Sequence, residues 1–139
     1  MRTHRVIPIL LATTALMPMT GAHAADRPSP GSFTGEHGLR GTVSLRFSTE
    51  RGIGLYLSKY TVLGDLRCDG EPIIPLEYSR MQVTARQAAR VRGKRRTFTY
   101  RAATLVINGR FTTPKRITGT ITGRASYCEQ TAGFTARLK

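Results

Sequence analysis

Between Gly41 and Ser48 the apolar residues Val43, Leu45 and Phe47 alternate with Thr42, Ser44, Arg46 and Ser48. A period of two sends one row of side chains into a core and the other into water, which specifies a strand. The same period returns where Ile117, Gly119, Ile121, Gly123 and Ala125 alternate with Thr118, Thr120, Thr122, Arg124 and Ser126, and again at Phe134, Ala136 and Leu138. Short alternating segments separated by Gly and Pro, with little of helical period, predict an all-β chain: an antiparallel two-sheet sandwich, or a partly open barrel.

The punctuation refines this expectation. Glu50-Arg51-Gly52 reads as a turn leading to a strand with Ile53, Leu55 and Leu57 on one face. The parity then passes to Tyr60, Val62, Leu66 and Cys68, which predicts a bulge or break near Ser58 to Tyr60. Cys68-Asp69-Gly70 supplies a tight turn, Asn108-Gly109 has the composition of a hairpin turn, and Thr113-Pro114-Lys115 breaks the chain. Residues 80–92, RMQVTARQAARVR, fit either a short helix or a hairpin arm, because alanines and the Arg86/Arg90 spacing favour the first while Gln82 to Thr84 could extend a strand.

The N-terminal segment bears on the compartment and so on the cysteines. Arg2 and Arg5 precede the apolar stretch VIPILLATTALMPM, too short to span a bilayer as a stable helix, and Ala22-His23-Ala24 follows as a small-x-small cleavage pattern. This predicts a signal peptide over 1–24, a flexible lead-in over 25–32 containing DRPSPGS, and one domain over 33–139, exported to the periplasm or the medium with no membrane-spanning segment in the mature chain. The oligomeric state is left open. Cys68 and Cys128 are the two cysteines of the chain, and in an oxidising compartment they are expected to pair with each other.

An ordered series of short motifs carries a resemblance: Gly35, Gly41-Thr42-Val43-Ser44-Leu45-Arg46-Phe47, Cys68-Asp69-Gly70, Ile107-Asn108-Gly109-Arg110-Phe111, Gly119-Thr120-Ile121-Thr122-Gly123, Cys128 and Phe134-Thr135-Ala136-Arg137. It resembles a group of small secreted bacterial β-sandwich proteins of unassigned function. The resemblance implies the sandwich, export and the Cys68 to Cys128 bridge, and brings no active site with it.

Charge is distributed unevenly. Residues 78–128 contain 12 Lys and Arg and no Asp or Glu, whereas the rest of the chain after Ala24 holds 8 of each sign. Such a block predicts attraction to an anionic polymer or surface, whether nucleic acid, acidic polysaccharide or envelope lipid headgroups. The densest part gives the candidate contacts Arg86, Arg90, Arg92, Lys94, Arg95, Arg96 and Arg101. Arg outnumbers Lys 18 to 4, which suits forked contacts with phosphate or carboxylate. Phe98 and Tyr100 share a strand face and are expected in the core rather than as a stacking platform.

No catalytic signature accompanies the charge. The sequence has no GxSxG, HExxH, Cys-x-x-Cys or glycine-rich phosphate loop. With one histidine after Ala24, neither a metal site nor a cofactor is expected. The expectation is therefore a binding or structural protein of the envelope. The alternative is a small secreted hydrolase, nuclease-like, using His37 with a distant carboxylate such as Glu77 or Glu129. Glu36 is excluded as that partner, because adjacent residues of a strand face opposite sides.

Overall fold

The computed structural model describes residues 27–70 and 72–139. The expected signal peptide lies outside the described residues. Eight strands follow one another: β1 (Gly31–His37), β2 (Gly41–Glu50), β3 (Gly54–Leu66), β4 (Ile74–Arg80), β5 (Thr97–Arg101), β6 (Leu105–Thr113), β7 (Arg116–Ala125) and β8 (Cys128–Leu138). All neighbours are antiparallel, in the order β4-β3-β2-β1-β8-β7-β6-β5. Two four-strand meanders are thus joined where β1 pairs with β8, from Phe33 opposite Leu138 to His37 opposite Phe134.

That junction decides between the two expected architectures. The two-sheet sandwich is not what the hydrogen bonding forms: one sheet runs through all eight strands and curls into a half-barrel. Its strand order is that of an up-and-down barrel left open between β4 and β5. Alternation along single strands specifies faces, but both architectures bury the same faces, so pairing of the first and last strands was not legible from it. β1 also takes in Gly31 and Ser32, which the sequence places in the lead-in, and Ser29 N–H donates to the Pro114 carbonyl at 2.9 Å.

The curl depends on missing side chains. A Cβ on Gly35, Gly41 or Gly119 would overlap the carbonyl oxygen of Thr135, Leu63 or Asn108 on the next strand. Removing the Cβ lets neighbouring backbones approach and the sheet coil, as glycine kinks do in barrels. The bulge expected near Ser58 is present: Arg46 pairs with Lys59 and Phe47 with Leu57, so Ser58 is the extra residue. Its hydroxyl donates to the Arg46 carbonyl at 3.0 Å.

Asn108-Gly109 is not a hairpin turn but the middle of β6. Gly109 lies beneath the Phe98 ring, where a Cβ would collide with it, and the Asn108 side-chain oxygen accepts from the Thr99 hydroxyl at 2.8 Å. The local turn preference yields to cross-strand packing. The hairpin forms instead around Pro114, where Thr113 pairs with Arg116.

No helix forms over 80–92. After β4 the chain lies along the part of β3 that β4 leaves uncovered, making one turn on the way, Ala89 N–H to Ala85 carbonyl. Val83 N–H donates to Ser58 O, Leu57 N–H to Ala89 O, and Val91 N–H to Leu55 O. It returns through a hairpin in which Arg92 pairs with Thr97 around Gly93, whose φ is 72°. The hairpin-arm alternative therefore describes it best, with Ala89 buried against the core where the segment crosses the open seam.

The interior is solid. Phe33, Phe47, Phe98 and Phe111 meet edge to face at centroid separations of 5.0 to 5.7 Å, except Phe98 and Phe111, which are tilted at 6.3 Å, and they are joined by Leu45, Leu57, Val62, Ile107, Ile117 and Ile121. Phe98 and Tyr100 are core residues, as expected. A second cluster of Leu39, Leu66, Leu76 and Cys128 surrounds the Cys68–Cys128 disulfide, whose Cα atoms are 5.7 Å apart.

The Tyr60 hydroxyl donates to that of Tyr100 at 3.3 Å across the core. Burial, then the hydrogen bond with Tyr100, pushes the Tyr60 hydroxyl up from 10.0 to about 12. The fold holds the neutral phenol, so its stabilisation is complete below pH 10 and is lost as pH rises from 10 to 12. At about 1.4 kcal/mol per unit this amounts to no more than about 3 kcal/mol. Denaturant midpoints measured between pH 9 and 12 should fall more steeply for the native protein than for Tyr60→Phe. Parallel curves would show that this phenol does not control alkaline stability.

Candidate basic face and groove

The seven candidate cations do not form one patch. Arg86 is committed elsewhere: its guanidinium Nη1 donates to both Glu50 oxygens at 2.8 and 2.7 Å, and its Cζ lies 5.9 Å from the Tyr56 ring centroid. The hydrogen bond with Glu50 raises its pKa further above the ordinary arginine value. Its role in the structure is to anchor the crossing segment to the β2–β3 turn. Arg90 donates to the Gln87 side chain at 2.9 Å and Arg92 to the Gln87 carbonyl at 3.0 Å. Lys94 and Arg95 are exposed at the tip of the hairpin, Arg96 is half-buried with φ 54°, and Arg101 is exposed at the end of β5.

Registers across the sheet bring other arginines together. On the outer face one row runs Arg92, Thr97, Arg110, Thr118, Thr135, Glu36. The row beside it contains Arg116 directly opposite Arg137, followed by Thr34 and Ser44. Arg110, Arg116 and Arg137 thus cluster on β6, β7 and β8, all exposed. Among the described residues the ion pairs are Arg67–Asp65, Arg86–Glu50 and Arg124–Glu129, and none involves this cluster. Like charges directly opposite on a sheet cost roughly 0.2–1 kcal/mol, so the arrangement is unfavourable for the isolated fold.

Sequence reading missed these three. Their convergence depends on which strands pair and in what register, which alternation along a single strand does not carry.

Beside the cluster the outer surface sinks into an open groove of about 930 Å³ over β1, β8 and β7. Gly35, Gly119 and Gly133 line it, and Thr34, Glu36, Thr118, Thr120, Thr135 and Arg137 supply polar groups around it.

His37 lies under one end of this groove and is 7% exposed. Leu39 N–H donates to its Nδ1 at 3.1 Å, so Nδ1 is unprotonated, and Nε2–H donates to the Leu63 carbonyl at 2.6 Å. Asp65 N–H completes the clasp by donating to the Leu39 carbonyl at 2.8 Å. The expected pairing of His37 with Glu77 or Glu129 is not formed. Glu77 stands opposite Leu63 on the sheet, while Glu129 lies 3.8 Å from Arg124. Replacing His37 with Ala strands a buried amide and a part-buried carbonyl and should cost about 2–4 kcal/mol in a denaturant melt. A loss below about 0.5 kcal/mol would contradict the clasp.

Among the described residues no group of three His, Cys, Asp or Glu side chains is placed to hold a metal ion, and no helix is long and apolar enough to cross a membrane. No family model, curated protein or solved structure matches the chain.

Proposed function

We propose that this is an exported protein that binds an anionic polymer or envelope surface through the outer face of β5–β8 and the adjoining 90–96 hairpin. The observation that carries the reading is the pairing of Arg116 opposite Arg137, with Arg110 beside them and no carboxylate partner among the described residues. A cluster that weakens the free fold is offset when an anion lies across it. Arg92, Lys94, Arg95 and Arg96 extend the positive field beyond it, and Arg101 adds to it from the end of β5. Arg86 is left out because Glu50 neutralises it. Contacts of this kind read charge rather than base sequence. Export accords with the disulfide, which persists in oxidising compartments.

The reading makes stability and binding respond in opposite directions. Arg116→Gln or Arg137→Gln should leave the free protein equally or slightly more stable, by up to about 1 kcal/mol, while weakening its retention on immobilised heparin. Heparin should raise the melting temperature of the native protein more than that of either variant. Thermal melts with and without heparin check both statements. A variant that loses stability and keeps its binding would contradict the proposal.

A further inference from the structure

The groove beside the arginine cluster bears on which anion is bound. We propose that it is a subsite for an acidic polysaccharide, with Arg116 and Arg137 taking the ligand's carboxylate or sulfate and Glu36 accepting hydrogen bonds from its ring hydroxyls. This rests on the polyanion reading above and narrows it.

Three features favour a saccharide over a phosphodiester chain. First, Glu36 stands opposite Thr135 on the outer face, one diagonal step from Arg137, yet is not paired with it. A carboxylate inside a basic groove repels any polyanion, but it suits one whose charged units also carry free hydroxyl donors, which a DNA phosphodiester backbone lacks. Second, Thr34, Thr118, Thr120 and Thr135 offer hydroxyls that both donate and accept, matching a polyhydroxylated ligand. Their strands lie about 4.8 Å apart, so the hydroxyls form a regular grid along the groove. Third, single-strand binders use exposed rings on which bases stack, and here Phe98, Tyr100 and Phe134 are at most 7% exposed. Tyr127 is fully exposed, but at the β7–β8 turn by the disulfide, away from the cluster at the start of β7.

The test compares polygalacturonate, dextran, oligothymidylate and phosphatidylglycerol vesicles as probes of the whole protein at one ionic strength. The native protein should bind polygalacturonate more tightly than the other three. Glu36→Gln should weaken polygalacturonate binding about tenfold, through loss of charge-assisted hydrogen bonds, and should strengthen oligothymidylate binding by relieving repulsion. Glu36 is exposed in β1, and a melt confirms that the variant folds.

If Glu36→Gln tightens both polymers alike, Glu36 acts only by repulsion and the saccharide subsite is wrong. The subsite is equally wrong if vesicles or oligothymidylate bind the native protein best. In both cases the polyanion reading stands as long as Arg116→Gln and Arg137→Gln weaken binding. If the native protein holds none of the charged probes, the polyanion reading fails as well.

Discussion

Gly119→Ala should destabilise the protein by more than about 4 kcal/mol or prevent it from folding. The new Cβ would overlap the Asn108 carbonyl oxygen, a backbone atom held in the β6–β7 ladder that cannot turn aside as a side chain could. Relief requires the two strands to part, which flattens the sheet and loosens the aromatic core inside it. Gly52→Ala is the matched comparison. Its φ is 85° and nothing lies within 4 Å of the added Cβ, so it bears only the left-handed backbone cost of about 1–2 kcal/mol. Denaturant melts of both variants give the ranking. Equal losses would mean that close strand approach at Gly119 does not set the curl.

Breaking the Cys68–Cys128 bridge should have the next largest effect. Its cysteines are 60 residues apart, and the chain-entropy account assigns a loop of that size about 4 kcal/mol of stabilisation. The bridge ties the chain just after β3 to the first residue of β8, within the small cluster of Leu39, Leu66 and Leu76. Replacing both cysteines with Ala should therefore lower global stability by up to that amount. Amide exchange should quicken first in β4, which has β3 as its one ladder partner among the described strands. Protection unchanged in β4, or free thiols in the protein recovered from the producing cell, would contradict this account.

The parts of the fold that were legible in the sequence were those that one strand determines by itself. Val43, Leu45 and Phe47 announced their faces, and the parity change around Ser58 announced a bulge that the β2–β3 register contains. Phe98 and Tyr100 were readable as core for the same reason. Features requiring two or more strands were not. Asn108-Gly109 has turn chemistry, but the Phe98 ring over Gly109 needs β5 to be in place. The 80–92 segment has mixed preferences, and its path is fixed by unpaired groups on β3 that appear only once β4 stops short. The candidate site divides in the same way. A block without acids was plain in the sequence, yet Glu50, which removes Arg86 from it, lies 36 residues earlier. Arg137 comes from the last strand and joins Arg116 through register alone.

The central claim, that the Arg110, Arg116 and Arg137 face grips a polyanion by charge, is tested most directly by salt titration. Affinity for duplex DNA, used as a uniform charge probe, should be measured from 50 to about 200 mM salt for the native protein and for the Arg110→Gln, Arg116→Gln, Arg137→Gln triple variant. Each lost phosphate contact flattens the slope of log affinity against log salt by about 0.9. The account predicts that the variant folds and that its slope is shallower by about 2 to 3. A folded variant with the native slope and affinity would contradict it.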